Sequence, residues 1–189
     1  MKTILIFILL LFGINNVNAQ KTISFEAEGN LESPNPCDCV ELLDVTNENN
    51  PADILIGMGK CMESKQFEKA ARLFMIAGVY GKYDAFRVKD RSAHQAILVL
   101  QQNILLNVDE SDRNSLMNSL KKYLDPTSEE VTNVCQVIQQ IGIPKYYPKY
   151  MVQHGIQAFL ESEGNGLNME FDSEKSWNLV LKNYLHCGE

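Results

Sequence analysis

The chain has 189 residues, with 17 Lys and Arg against 24 Asp and Glu, so its formal net charge is −7 at pH 7. This acidic balance argues against nucleic acid and anionic membrane surfaces as partners, because both favour proteins rich in Lys and Arg. The length suits a single domain with a sizeable core.

The N-terminal segment, residues 1–19, has the pattern of a secretory signal peptide. A basic start at Lys2 is followed by an apolar run, Ile4–Phe12, and by a small residue at Ala19. The apolar run is too short to span a bilayer. We therefore predict cleavage between Ala19 and Gln20 and a secreted or periplasmic mature chain with no membrane span. Its net charge is −8, because the signal carries one Lys and no acid.

All five cysteines lie in the exported part, at Cys37, Cys39, Cys61, Cys135 and Cys187. In an oxidising compartment this number predicts two disulfides and one free thiol. The connectivity stays open; the pairing we favour joins Cys61 to Cys37 or Cys39, and Cys135 to Cys187. Each bridge should contribute about 2–4 kcal/mol. No Cys-x-x-Cys motif is present, so we expect no metal site.

The exported part divides into a lead-in, residues 20–50, and a single α-helical domain, residues 51–189. In the lead-in, Lys21–Glu26 alternates as a lone strand would, and Cys39–Val45 fits a short helix. A loop with two prolines separates them.

Two helices begin the domain. Asn50 is a good N-cap for the first, which should run from Pro51 to about Lys65. The second should occupy Gln66–Ala77, and Gly78 and Gly81 should close it.

This helix pair resembles a single tetratricopeptide or Sel1-like hairpin. The matching residues are Phe67, Ala70, Phe74 and Ala77 on the second helix, with Gly57 and Met58 where that family has Leu-Gly. The resemblance implies a style of helix packing and a binding role, and it carries no catalytic residues. One hairpin does not make a solenoid, which needs about three stacked repeats.

The segment Ser92–Leu106 is apolar on most faces of a helix, which predicts the central, buried helix of a bundle. Ser92 and Gln95 have the spacing of a capping box at its start. The stretch before it, Tyr80–Arg91, reads as a linker.

Later helices complete an all-α, compact bundle of six or seven helices stapled by disulfides. Their predicted ranges are about Asp112–Leu124, Thr127–Ile141 with a Thr127–Glu130 capping box and Gly142 as C-cap, Met151–Leu160, and a last helix that Asp172 caps and that ends near Cys187.

Three stretches, Asp53–Cys61, Tyr80–Gln95 and Ile143–Gly155, are similar to an uncharacterised family of small exported bacterial proteins. The resemblance implies an all-helical exported fold and supplies no activity.

No motif for catalysis stands out. The histidines at positions 94, 154 and 186 lack a His-Glu-x-x-His context, and no Gly-x-Ser-x-Gly elbow is present. We therefore expect no cofactor, and we lean against an enzyme.

Two segments are candidates for binding. The first is a basic strip, in which Arg87, Lys89 and Arg91 would share one side of an extended chain. The alternative is an internal lattice of ion pairs with Asp84 and Asp90.

The second candidate is a tyrosine-rich loop and the residues after it. Its candidate residues are Lys145, Tyr146, Tyr147, Tyr150 and His154. Tyrosine supplies contact area at a small entropic cost, which favours interfaces. The alternative is that these rings cover one end of the bundle.

These features favour a protein-binding module with an unknown protein partner, of an immunity or inhibitor type. A small hydrolase acting on envelope or extracellular material is the alternative, and it requires a cleft where carboxylates, or His94 and His154, converge. A metal-holding bundle would require the three histidines to meet.

Overall fold

The computed structural model describes residues 26–160 and 164–188, and within these ranges the fold is a bundle of seven α-helices with no β-strand. The α-helices are α1 Pro51–Glu63, α2 Phe67–Arg87, α3 Ala96–Leu105, α4 Glu110–Leu120, α5 Glu129–Ile141, α6 Lys149–Val152 and α7 Ser173–Asn183. Short 3₁₀ helices occupy Leu42–Asp44, Arg91–Gln95, Lys121–Tyr123 and Ile156–Phe159. The predicted all-α class is confirmed. The predicted signal peptide and most of the Lys21–Glu26 strand lie outside the described residues.

No helix within the described ranges is long and apolar enough to cross a membrane.

The centre of the bundle is α2, which contacts α1, α3, α4 and α7. The predicted end of this helix at Ala77 was wrong, and so was the linker predicted from Tyr80. Gly78 and Gly81 lie inside α2, where their bare backbone lets other side chains approach closely. A Cβ atom on Gly81 would lie 2.6 Å from Cγ1 of Ile97. A helical glycine costs only about 1 kcal/mol relative to alanine, and this packing outweighs it.

The segment Ser92–Leu106, predicted as the central helix, is not the centre of the bundle and is only partly α-helical. Residues 91–95 form a 3₁₀ turn and α3 begins only at Ala96, with Leu98 52% exposed and Leu106 73% exposed. The Ser92–Gln95 capping box is absent. Instead, the Asp90 carboxylate accepts a hydrogen bond from the Ser92 backbone N–H at 2.9 Å. The apolar composition of this segment therefore predicted more burial than the structure shows.

The start of α1 follows the prediction. The Asn50 side chain accepts a hydrogen bond from Asp53 N–H, and Asp53 Oδ2 accepts one from Asn50 N–H, both at 2.9 Å. Asp53 Oδ1 also accepts hydrogen bonds from the Ser33 hydroxyl at 2.7 Å and the Asn35 N–H at 2.8 Å. One buried carboxylate thus caps α1 and fixes the lead-in against it.

Several later boundaries differ from their predictions. The N-cap of α5 is Ser128, whose hydroxyl accepts from Val131 N–H, and not Thr127. The helix predicted after Tyr150 is only one turn of α6, and Gly155 separates it from the next 3₁₀ turn. Gly142 and Asp172 cap α5 and α7 as expected.

The disulfides are Cys39–Cys61 and Cys135–Cys187. The second is the predicted pair, and the first shows that Cys39, of the two predicted alternatives, is the partner of Cys61. The first joins the lead-in to α1, and the second joins α5 to the segment after α7. Cys37 is the free cysteine and is half-buried. Two disulfides are consistent with an extracellular or periplasmic protein.

Candidate functional site

The last turn of α2 carries a buried ionic cluster. The Asp84 side chain is fully buried, and its Oδ1 accepts a hydrogen bond from Arg87 Nε at 2.8 Å. Its Oδ2 accepts hydrogen bonds from the hydroxyls of Tyr146 at 3.0 Å and Tyr150 at 2.7 Å. Burial raises the pKa of Asp84, whereas the Arg87 charge and the tyrosine hydroxyls act in the opposite direction. Burial also raises the pKa of both tyrosines well above its ordinary value, so both remain donors at neutral pH.

Arg87 holds the tyrosine loop to this carboxylate. Its Nη1 donates a hydrogen bond to the carbonyl oxygen of Tyr146 at 2.8 Å. The guanidinium carbon lies 5.3 Å from the ring centroid of Tyr83 and 4.9 Å from that of Tyr146, at cation–π distances. Its Nη2 is 2.7 Å from Asp84 Oδ1 but meets no hydrogen-bond geometry.

Three predicted binding residues therefore lie together, with Arg87 and Tyr150 buried and Tyr146 half-buried. Arg87 is helical and paired with Asp84, which matches the ion-pair alternative for that residue and not an extended strip. The side chains of this cluster hold the tyrosine loop in place. The exposed surface of the loop is formed by other residues, among them Tyr147.

Tyr147 faces outward from the same loop. The residue is 47% exposed, and its hydroxyl donates a hydrogen bond to the carbonyl oxygen of Asn165 at 2.6 Å. The ring forms one wall of a surface cavity of about 200 Å³, which we call the Tyr147 cleft. The residues that line it are Val88, Asp90, Tyr147, Val152, Gln153, Gln157, Ala158, Leu160, Gly164, Asn165 and Gly166.

Backbone hydrogen bonds assemble two sides of this cleft. The chain leaving α2 pairs with the 166–168 segment, as Lys89 N–H donates to Gly166 O at 2.9 Å and Asn168 N–H donates to Arg87 O at 2.8 Å. An isolated antiparallel bridge joins Val88 to Leu167 between them.

Asp90 is the one carboxylate among the described residues that line the cleft. Its oxygens accept hydrogen bonds that hold two segments of the chain together. Its Oδ1 accepts hydrogen bonds from the N–H and hydroxyl of Ser92, and its Oδ2 accepts one from Gln157 N–H at 2.9 Å. Partial burial acts to raise its pKa, but the bonds from Gln157 and Ser92 hold the pKa below its ordinary value. The Ser92 hydroxyl in turn accepts a hydrogen bond from Ile156 N–H.

The 3₁₀ turn held by Asp90 exposes three large apolar side chains in five residues. Ile156 is 66% exposed, Phe159 is 54% exposed and Leu160 is 61% exposed. Residues three apart eclipse on a 3₁₀ helix, so Ile156 and Phe159 share a side, and Leu160 lines the cleft itself. We call these three residues the apolar rim. The sequence prediction placed all three in one helix, Met151–Leu160, whereas α6 ends at Val152 and Gly155 precedes the separate 3₁₀ turn. Gly155 was the sequence signal that the helix does not continue.

The remaining predicted binding residues lie at separate places. Lys89, Arg91 and Lys145 are exposed and form no ion pair with any described residue. Lys89 and Arg91 flank Asp90 in sequence, but neither is among the described residues that line the cleft. The ring of His154 lies against the lead-in, where Nδ1 is 2.8 Å from Asn30 Oδ1, and burial lowers its pKa.

The histidines do not meet in the cleft. His94 Nε2 is 2.9 Å from the carbonyl oxygen of Val88, whereas His154 has Asn30 as its partner. Within residues 26–160 and 164–188, no group of three or more His, Cys, Asp or Glu side chains is arranged to hold a metal ion.

A second, shallower depression of about 370 Å³ lies at the start of α2. Its charged residues are already paired: Lys65 with Asp112, Lys69 and Arg72 with Glu41, and Glu68 with Lys122. This site offers less to a ligand than the Tyr147 cleft, since its charges already have partners.

Comparison with protein-family models, with curated proteins and with solved structures finds no match for this chain. The resemblance of α1 and α2 to a tetratricopeptide or Sel1-like hairpin therefore stays a prediction.

Proposed function

We propose that this chain is an exported protein-binding module whose contact surface is the Tyr147 cleft and the apolar rim. The observation that carries the proposal is the exposure of Ile156, Phe159 and Leu160 beside a cleft walled by an exposed tyrosine. Contiguous exposed apolar side chains around a pocket are typical of protein contact sites, and aromatic residues are enriched there.

The surface is held in a fixed shape before any partner arrives. The Asp84 cluster fixes the loop that carries Tyr147, and Asp90 fixes the turn that carries the rim. A pre-organised surface loses less entropy on binding, which favours affinity. The arrangement therefore suits recognition of a folded or extended protein segment.

Export belongs to the same proposal. The apolar run before Ala19 supports a cleaved signal peptide, and two disulfides suit an oxidising compartment. A module of this kind would act on its partner outside the cytoplasm, as an immunity or inhibitor protein does.

The test is capture of a partner by the mature chain, residues 20–189, from envelope and culture-fluid fractions, with quantitative mass spectrometry. Leu160→Glu places a charge on the rim, and Leu124→Glu is the matched control because Leu124 is 77% exposed on another part of the surface. We expect a stoichiometric partner that Leu160→Glu loses and Leu124→Glu retains. A partner captured equally by both variants, or none at all, would contradict the proposal.

A further inference from the structure

The wall of the Tyr147 cleft contains an Asn-Gly pair, Asn165 and Gly166, of which Asn165 is exposed. Asn165 Oδ1 accepts a hydrogen bond from the backbone N–H of Leu167 at 3.1 Å, which is the pattern of an Asx turn. This bond folds the Asn165 carboxamide toward the part of the chain that follows it, where the first peptide nitrogen belongs to Gly166. Glycine has no Cβ to shield that nitrogen.

The fold requires glycine at position 166. Its φ is +74°, in the left-handed region that glycine adopts readily, and a Cβ there would lie 2.6 Å from Cγ1 of Val152. The structure therefore keeps an unshielded peptide nitrogen directly after Asn165.

A second asparagine on the same segment has the same turn without the glycine. Asn168 is also exposed, and its Oδ1 accepts a hydrogen bond from Glu170 N–H at 3.1 Å. The residue between these two is Met169, whose Cβ crowds its own peptide nitrogen. The two turns thus differ at the position from which a nitrogen would approach the carboxamide carbon.

We propose that Asn165 is a modification site, at which the peptide nitrogen of Gly166 displaces the side-chain amide. This nitrogen loses its proton to solvent base and attacks Cγ of Asn165; the new C–N bond closes a cyclic succinimide, and the Cγ–Nδ2 bond breaks to release ammonia. Water then opens the ring at either of its carbonyl carbons. The product is either a carboxylate side chain on an ordinary main chain or an isoaspartyl linkage, in which the main chain runs through Cγ.

The two products should affect the cleft differently. The ordinary product keeps an oxygen for the Leu167 N–H and adds a negative charge. In the isoaspartyl product, the Asn165 carbonyl oxygen that accepts from Tyr147 leaves the main chain as part of a free carboxylate. The main chain to Gly166, whose carbonyl oxygen accepts from Lys89 N–H, also becomes longer by a carbon atom. The isoaspartyl linkage therefore disturbs the contact between Tyr147 and this wall.

The experiment incubates the folded mature chain, residues 20–189, in neutral buffer and follows the loss of amide by mass spectrometry. Cleavage after Glu163 and Glu170 gives a peptide, residues 164–170, that contains both asparagines. Fragmentation by electron transfer locates the change and distinguishes isoaspartate from aspartate. We expect position 165 to lose its amide at least about tenfold faster than position 168. Equal rates would overturn the proposal, and so would an Asn165 that stays intact in the folded chain while the urea-unfolded chain loses its amide.

Asn165→Gln is the matched variant. It keeps a carboxamide and the main-chain carbonyl that Tyr147 contacts, but its side chain is longer and would have to close a larger ring. We expect isoaspartate to accumulate in the 164–170 peptide of the native chain and not in that of the variant. Equal accumulation in both would assign the reaction to Asn168 and overturn the proposal.

Partner capture tests the consequence for the cleft, which rests on the proposed function, whereas the chemistry does not. The aged native chain should capture less partner than the fresh chain, and aged Asn165→Gln should capture as much as its fresh form. Formation of isoaspartate without any fall in capture would overturn the effect on the cleft. Failure of the fresh chain to capture any partner would contradict the proposed function, and the mass spectra would still decide the modification site.

Discussion

The Tyr147 hydroxyl donates a hydrogen bond to the carbonyl oxygen of Asn165 at 2.6 Å, and both residues line the cleft. The preceding residue, Tyr146, points the other way and donates to the buried carboxylate of Asp84. Two adjacent tyrosines thus divide between the surface and the interior, and the inner one determines where the outer one stands. The stability of the inner cluster is therefore a condition for the shape of the surface.

Asp84→Asn should be strongly destabilising. The variant leaves the Arg87 guanidinium buried without a counter-charge, which costs about 3–5 kcal/mol in comparable cases. Tyr150→Phe removes one hydrogen bond to the carboxylate and should cost less, about 1.5–3 kcal/mol. Urea unfolding followed by circular dichroism measures both.

The double variant Asp84→Leu/Arg87→Met tests whether the two charges of this cluster are energetically coupled. Because it removes both charges together, its loss of unfolding free energy should be smaller than the sum of the losses in the single variants Asp84→Leu and Arg87→Met. Strict additivity would show that Asp84 and Arg87 are not coupled as their 2.8 Å hydrogen bond indicates.

Two glycines should respond in opposite ways to the same substitution. Gly59→Ala in α1 places a Cβ at 3.6 Å from Ile104 Cγ2, an ordinary contact, so the helix should gain up to about 1 kcal/mol. Gly81→Ala in α2 places a Cβ at 2.9 Å from the Cβ of Ile97, which cannot rotate away, so the protein should lose about 1–3 kcal/mol.

Thermal unfolding compares these two variants directly. Shortening the opposing side chain in Gly81→Ala/Ile97→Ala should recover part of the loss, relative to the sum of the single variants. A stabilising Gly81→Ala would show that α2 and α3 can separate without cost.

Signals in the sequence predicted the all-helical class, the cap at Asn50 and the Cys135–Cys187 pair, and they left Cys37 and Cys39 as alternatives for the partner of Cys61. These depend on neighbours in the chain or on a small set of cysteines, and they hold in the structure. The length of α2 was missed because Gly78 and Gly81 are helix-weakening by propensity, while their value lies in contacts with Tyr184 and Ile97 far along the chain.

The candidate site divides in the same way. The loop at residues 145–150 stood out by composition, but which tyrosine would face solvent depends on a carboxylate more than sixty residues earlier, at Asp84. The exposure of Leu160 was not predicted, because the turn before it is held by a hydrogen bond from Gln157 N–H to the carboxylate of Asp90, 67 residues earlier. Tertiary placement, not residue type, decides these points.

The two disulfides should differ in what they contribute. In the chain-entropy model, closing the loop of 22 residues between Cys39 and Cys61 contributes about 3.4 kcal/mol, and closing the loop of 52 residues between Cys135 and Cys187 contributes about 4.1 kcal/mol. Replacing each pair by alanine should therefore destabilise the protein by amounts in that order. Urea midpoints measure the difference, and the reverse order would point to unequal packing around the two bridges.

Cys37 should react slowly with alkylating reagents in the folded protein. Burial, with a smaller effect of the Asp53 charge, raises the pKa of its thiol to about 11, from an ordinary value of 9.0. Only the thiolate is nucleophilic, so at pH 8 the folded protein should react about a hundredfold more slowly than the urea-unfolded chain with its disulfides intact. Between pH 8 and pH 10 the folded rate should rise about tenfold per pH unit, because the thiolate fraction does, and then level off above pH 11. Iodoacetamide labelling followed by mass spectrometry gives these rates, and Cys37→Ser is the control for labelling at other sites. A folded rate that is independent of pH in this range would show that opening of the lead-in, and not ionisation of Cys37, limits the reaction.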